Sequence, residues 1–331
     1  MLDIIYLLLL ITLIISGLLI LNEGSNLISD NATIVARRAG SSRFAISILL
    51  VSTLASMPET LVSLFALQEN SIDIAMANAL VSIIVNISFI IGLSALIMPL
   101  RTTKVMVARD AVFLLTMTII ASALLLDGIL SRLDGFVLLL LYLPYSINLW
   151  IAEKTMGKEE TYTSLKDAFA ELVLFGRIFN RGFKIRTGLM WLLAGIFLAV
   201  IGAEFLTRGS IEISRSMDIS EWLIGATIVA VGTSLPDIAA AYHATRKGMT
   251  DVALGAGIGA NITSILLTLG LMGLVYPLAF DIDEVLPTII AMNVLTFTLF
   301  IFLAIGKTLT RREGIILFSF YIGIAILNIF R

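Results

Sequence analysis

The chain contains no cysteine and a single histidine, His243. The first absence excludes a disulfide framework, a thiolate-held metal and a cysteine nucleophile. A serine–histidine dyad would have to use His243, whose plainer reading is an interfacial side chain near a segment end rather than a pH sensor. Charge is scarce as well: Asp, Glu, Lys and Arg make up 14% of the 331 residues, hydrophobic residues make up 59%, and mean hydropathy is +1.03. Soluble domains carry about 25% charged residues, so this composition is that of an integral membrane protein. No nucleotide-binding motif is present, which excludes an ATP-driven pump. No GxGD signature is present, which argues against an intramembrane aspartyl protease. The basic residues lie in short loops and form no nucleic-acid patch.

What is present is a series of long apolar runs. Ten segments are expected, at 2–21, 45–68, 72–98, 108–127, 133–152, 187–208, 221–245, 250–277, 285–306 and 313–330. Most reach the roughly 20 residues that span a bilayer. The first begins with Asp3, lacks a basic leader and is long enough to span, so it reads as a helix rather than a cleavable signal. The longest polar stretch, 153–186, divides the chain into five segments and five, 1–152 and 187–331. Of the 22 Lys and Arg residues, 18 fall in loops on one side. The positive-inside rule then puts both termini outside and the 153–186 loop in the cytoplasm. Within that loop LKDAFAELVLFGRIFNRGFK (165–184) reads as an amphipathic helix on the membrane surface.

The two halves echo one another. Ser56-Met57-Pro58-Glu59 matches Ser234-Leu235-Pro236-Asp237 at an offset of 178, and the same offset relates Asn86 to Ser264 and Gly92 to Gly270. A weaker echo at 185 relates Gly17, Gly24 and Ser25 to Gly202, Gly209 and Ser210. One copy follows the other after an odd number of crossings, so the copies are expected to lie inverted. Inverted repeats with interrupted helices point to a transporter whose site lies between them at the midplane.

The motifs supply the chemistry of such a site. Pro58 and Pro236 lack an N–H, which frees the carbonyls of Leu54 and Gly232. In a membrane a freed carbonyl needs a partner, and a cation or water serves. A carboxylate follows each proline. Ser52, Ser56, Glu59 and Ser63 fall on one helix face, and Ser82 and Asn86 form an i, i+4 pair in the next segment. All are oxygen ligands suited to hard cations. An acid in mid-membrane costs at least about 2.5 kcal/mol on insertion scales. No Lys or Arg lies in the core of any segment to pair with these two.

At these residues the chain resembles the cation/calcium antiporter superfamily, which includes the sodium/calcium exchangers. The resemblance rests on GTSLPD (Gly232–Asp237), LASMPE (Leu54–Glu59), ANALVSIIVN (Ala77–Asn86) and GAGIGANITS (Gly255–Ser264). It implies an all-α membrane protein of ten transmembrane helices in two inverted five-helix repeats. It implies Glu59 and Asp237 as the carboxylates that bind Ca2+, with Asn86 in the middle of the site. Ser56, Ser82, Thr233 and Ser234 would give hydroxyls or helix-end contacts, and the carbonyls of Ser52, Ala55, Ala230 and Thr233 would line the ion sites. The first and sixth helices would move against the rest. Ala55 and Ala260 stand where sodium-exchanging members usually place hydroxyls, and Ser264 stands where some carry an acid. Sodium or proton coupling through Glu59 and Asp237 therefore both stay open.

The expected function is secondary antiport of Ca2+ out of the cytoplasm against Na+ or H+. The alternatives are a cation site that binds without transporting, or antiport of another cation. No enzyme activity, cofactor or nucleic-acid partner is expected; the partners are lipid and small cations, and a monomer suffices. Glu23 and Glu204 read as interfacial, and Asp281, Asp283 and Glu284 as a solvated outer loop. Gly255 and Gly259 read as a close-packing stripe.

Overall fold

The computed structural model describes residues 2–38, 56–102, 106–155, 188–306 and 308–329. Among these residues ten helical runs follow one another. They are α1 (Leu2–Arg38), α2 (Met57–Gln68), α3 (Ile72–Ile97), α4 (Val107–Leu125), α5 (Arg132–Thr155), α6 (Gly188–Met217), α7 (Glu221–Arg246), α8 (Thr250–Val275), α9 (Ile282–Ile305) and α10 (Arg311–Ile329). Seven of them, α1, α3, α4 and α6–α9, are long and apolar enough to cross a membrane. Four two-residue strands join the ends: β1 (Leu100–Arg101), β2 (Ile129–Leu130), β3 (Leu278–Ala279) and β4 (Thr308–Leu309).

Most runs coincide with the apolar segments to within a few residues. The exceptions are α2, which starts at Met57 with residues 45–55 of the expected 45–68 outside the described residues, and α1 and α6, which extend to Arg38 and Met217, well past the ends expected at 21 and 208. The extension of α1 contains the polar run NEGSNLISDN (22–31), which contains buried Ser25 and Asn31. Helix formation persists there because α6 backs it. A Cβ on Gly17 would fall 2.6 Å from the Leu206 amide nitrogen, and one on Gly24 would fall 2.5 Å from that of Ala199. Only glycine lets the two backbones approach so closely.

α3 and α8 are the most enclosed spanning helices. Each carries a wide π-helical stretch, Asn86–Leu93 in α3 and Ser264–Thr268 in α8, and the two begin 178 residues apart. α10 packs on α3 where Gly314 meets the Gly92 carbonyl, and α5 packs on α8 where Gly135 meets the Gly270 carbonyl. The strands pair in the same crossed manner, β1 with β4 and β2 with β3, both antiparallel. Elements of the second half thus complete the packing of the first, and the reverse.

Candidate cation site

The site is built around Glu59, on the first turn of α2. Helix α2 begins at Met57 with Pro58 in its first turn, where a missing N–H costs no hydrogen bond. Glu59 is 5% exposed, and Ser56 and Ser63 on the same face are also buried. Ser52, the other expected member of this face, and Ala55, expected to line the site with its carbonyl, lie outside the described residues. Ser264 Oγ on α8 donates a short hydrogen bond to Glu59 Oε2. Ser234 Oγ on α7 stands 3.5 Å from Oε1, at the long limit of such a bond. Ser82 and Asn86 on α3 also face the carboxylate, although among the described residues Ser82 Oγ and both polar atoms of Asn86 lack a hydrogen-bond partner. Three helices other than its own thus direct neutral oxygens or amides toward one buried acid.

Asp237 occupies the equivalent place on α7 and lies within electrostatic reach of Glu59. It is half-buried. The helix around it departs from expectation: α7 continues as α-helix through Pro236 to Arg246, and the irregular stretch is π-helical and lies upstream, at Gly225–Val229. Local π geometry is one way a membrane helix accommodates a proline. Ala230 follows directly and is fully buried, and its carbonyl accepts a 3.3 Å bond from Thr233 Oγ1.

Among the described residues neither acid has a basic partner; the ion pairs lie elsewhere, as in Arg208 with Glu204 at 2.6 Å and with Glu69 at 3.4 Å. Glu204 is therefore held by its own helix neighbour. No three acidic or histidine side chains converge among the described residues. A cation here would meet two carboxylates and neutral oxygens, a donor set for a hard ion.

The sequence reading missed three polar residues that belong to this region. Asn78 bridges α2 and α7. Asn261 on α8 is fully buried, and among the described residues neither side-chain atom is hydrogen-bonded. Thr268 bonds Thr60 at 2.8 Å across α8 and α2. The signal was periodic: 78, 82 and 86 are spaced i, i+4, i+8, and 261, 264 and 268 share one face of α8. The glycine reading also needs correction. A Cβ on Gly255 or Gly259 would meet atoms only at 3.5 and 3.6 Å, ordinary contact, whereas one on Gly257 would come within 2.5 Å of Ile91 Cγ1. Gly257 is the residue that needs to be small. Asp281 is not merely a solvated acid: it caps α9, accepting from the Asp283 amide at 2.9 Å. The expected amphipathic helix at 165–184 lies outside the described residues.

A family model described as sodium/calcium exchanger protein matches residues 9–151 and 187–330. The sodium/calcium exchanger MaX1 of Methanosarcina acetivorans is 30% identical over 337 residues, covering 94% of this chain and 96% of its own. The structure of the sodium-calcium exchanger NCX_Mj, 28% identical, superposes with a TM-score of 0.65 over 97% of this chain and 99% of that one. The H+/Ca2+ exchanger CAX has the same fold, with a TM-score of 0.71 over 97% of this chain and 86% of that one at 18% identity.

Proposed function

The chain belongs to the sodium/calcium exchanger protein family, and on that premise we propose that it exports Ca2+ from the cytoplasm in exchange for Na+ or H+ by alternating access. It is a multi-pass membrane protein and a secondary transporter of small cations, not an enzyme, and works without a bound cofactor. The ten segments expected from the sequence cross the membrane, α2 being the described part of 45–68, as two inverted repeats, 1–152 and 187–331, joined by 153–186. The crossed strand pairs and the two π stretches 178 residues apart support this reading. Both termini lie outside and 153–186 is cytoplasmic, an orientation supported by the distribution of basic residues.

The observation that carries the function is Glu59: a buried acid with no basic partner among the described residues, faced by Ser82, Asn86, Ser234 and Ser264 and by the second acid, Asp237. Two carboxylates balance one Ca2+ or two monovalent cations. Binding of one kind therefore displaces the other, which is the elementary condition for exchange. Ser56 and the carbonyls of Ser52, Ala55, Ala230 and Thr233 complete the set, while the Thr233 hydroxyl is taken up by Asn78. Access alternates when α1 and α6 move as one body, fastened by their glycine contacts. α1 reaches the site directly, since a Cβ on Gly232 would run into Leu18 Cδ2.

The test is 45Ca2+ uptake into proteoliposomes loaded with Na+ or set with an outward H+ gradient. Uptake driven by Na+ means the pocket keeps sodium sites despite Ala55, Ala260 and Ser264. Uptake driven by H+ alone makes Glu59 and Asp237 the proton carriers. Absence of uptake under both gradients rejects the proposal.

A further inference from the structure

Asn78 lies on α3, two turns before Asn86, and has no exposed surface. Its carboxamide is fully engaged with two other helices. Nδ2 donates to the Glu59 carbonyl at 3.0 Å and to Ser63 Oγ at 2.8 Å, both on α2. Oδ1 accepts from Thr233 Oγ1 on α7 at 3.0 Å. Thr233 sits four residues, one helical turn, before Asp237. One planar group therefore ties the backbone of one acid to the turn that carries the other.

The bridge has no repeat counterpart. At the repeat offset of 178 from Asn78 stands Ala256, which has no side-chain donor or acceptor. The repeat thus has two acids but, among the described residues, one carboxamide bridge between the helices that bear them, beside the long 3.5 Å bond from Ser234 to Glu59. Breaking it would strand buried polar groups, so in a dry interior the link is stiff. Selectivity among hard divalent cations is governed by cavity size and site rigidity.

Resting on the reading that Glu59 and Asp237 hold the cation jointly, we infer that Asn78 is a specificity-determining positioning residue: its amide fixes the spacing of the two acid-bearing helices and makes the site prefer Ca2+ to the larger Ba2+. The test compares purified wild type, Asn78→Ala, Thr233→Val and the double variant. For each, thermal unfolding gives the concentrations of Ca2+ and of Ba2+ that produce half-maximal stabilisation. The Ba2+-to-Ca2+ ratio should fall by about threefold or more in each single variant, and no further in the double, because both changes cut the same bridge. A merely structural role lowers the melting temperature and leaves the ratio alone. Thr233→Val preserves shape, so it decides the matter if Asn78→Ala does not fold. Unchanged ratios in the single variants, or additive shifts in the double, overturn the inference. Glu59→Gln separates it from the site assignment. If that variant loses the cation response while both bridge variants keep the wild-type ratio, the site stands and the bridge falls. If Glu59→Gln responds as wild type does, or wild type shows no divalent response, the site reading falls first and the inference with it.

Discussion

Glu59 and Asp237 occupy equivalent places in two copies of one motif, yet their surroundings differ. Glu59 is enclosed: Ser264 and Ser234 donate to its two oxygens, and Asn78 holds its backbone. Asp237 is half-buried, and among the described residues no side chain donates to it. The partners explain the difference. Ser264, which serves Glu59, is the repeat counterpart of Asn86, whose amide makes no hydrogen bond among the described residues, and Asn78 has Ala256 as its counterpart. The acids and the π stretches recur at the offset of 178 while their neighbours differ. On the proposed reading Glu59 is a fixed pole of the cation site and Asp237 an adaptable one.

The largest expected effect removes the charges. Glu59→Gln and Asp237→Asn should each cut cation-driven uptake by roughly a hundredfold, since stripping one partner from a buried charged cluster costs about 3 kcal/mol or more. A proteoliposome flux assay on the two variants checks this. If only one acid proves necessary, the two-pole account breaks.

Changing reach instead of charge sharpens the comparison. Glu59→Asp withdraws the carboxylate from Ser264 and Ser234 and should weaken half-saturation for Ca2+ by about tenfold, the scale of a lost hydrogen bond to a charged group. Asp237→Glu extends an acid to which no described side chain donates and should shift it by about twofold at most. Equal responses would remove the distinction between enclosed and open poles.

A smaller effect separates the helix pairs. Gly202→Ala forces a methyl into the α1 backbone at Leu21 and should lower stability by about 1–3 kcal/mol. Gly255→Ala, beside nothing closer than Met106 Cε at 3.5 Å, should change it by no more than about 0.5 kcal/mol. Denaturation in detergent measures both.

Much of this was legible in the sequence, and the rest was not, for identifiable reasons. Apolar runs located the helices, because the bilayer admits little else. They misjudged the ends of α1 and α6, because the run NEGSNLISDN scores as loop while a glycine-faced partner keeps it helical. The two acids were visible because a charge in an apolar segment has no inexpensive explanation. Pro236 read as a break, yet α7 runs through it, with the irregularity upstream at Gly225–Val229. Asn78 escaped notice because its role depends on Glu59 and Thr233, which are distant in sequence and meet it only in the fold.

The most direct test of the central claim is calorimetric titration of Ca2+ into the purified protein and into Glu59→Gln and Asp237→Asn. The account predicts one divalent cation per wild-type chain, held between the two acids, and no measurable binding in either variant. Wild-type affinity retained in both variants would contradict it.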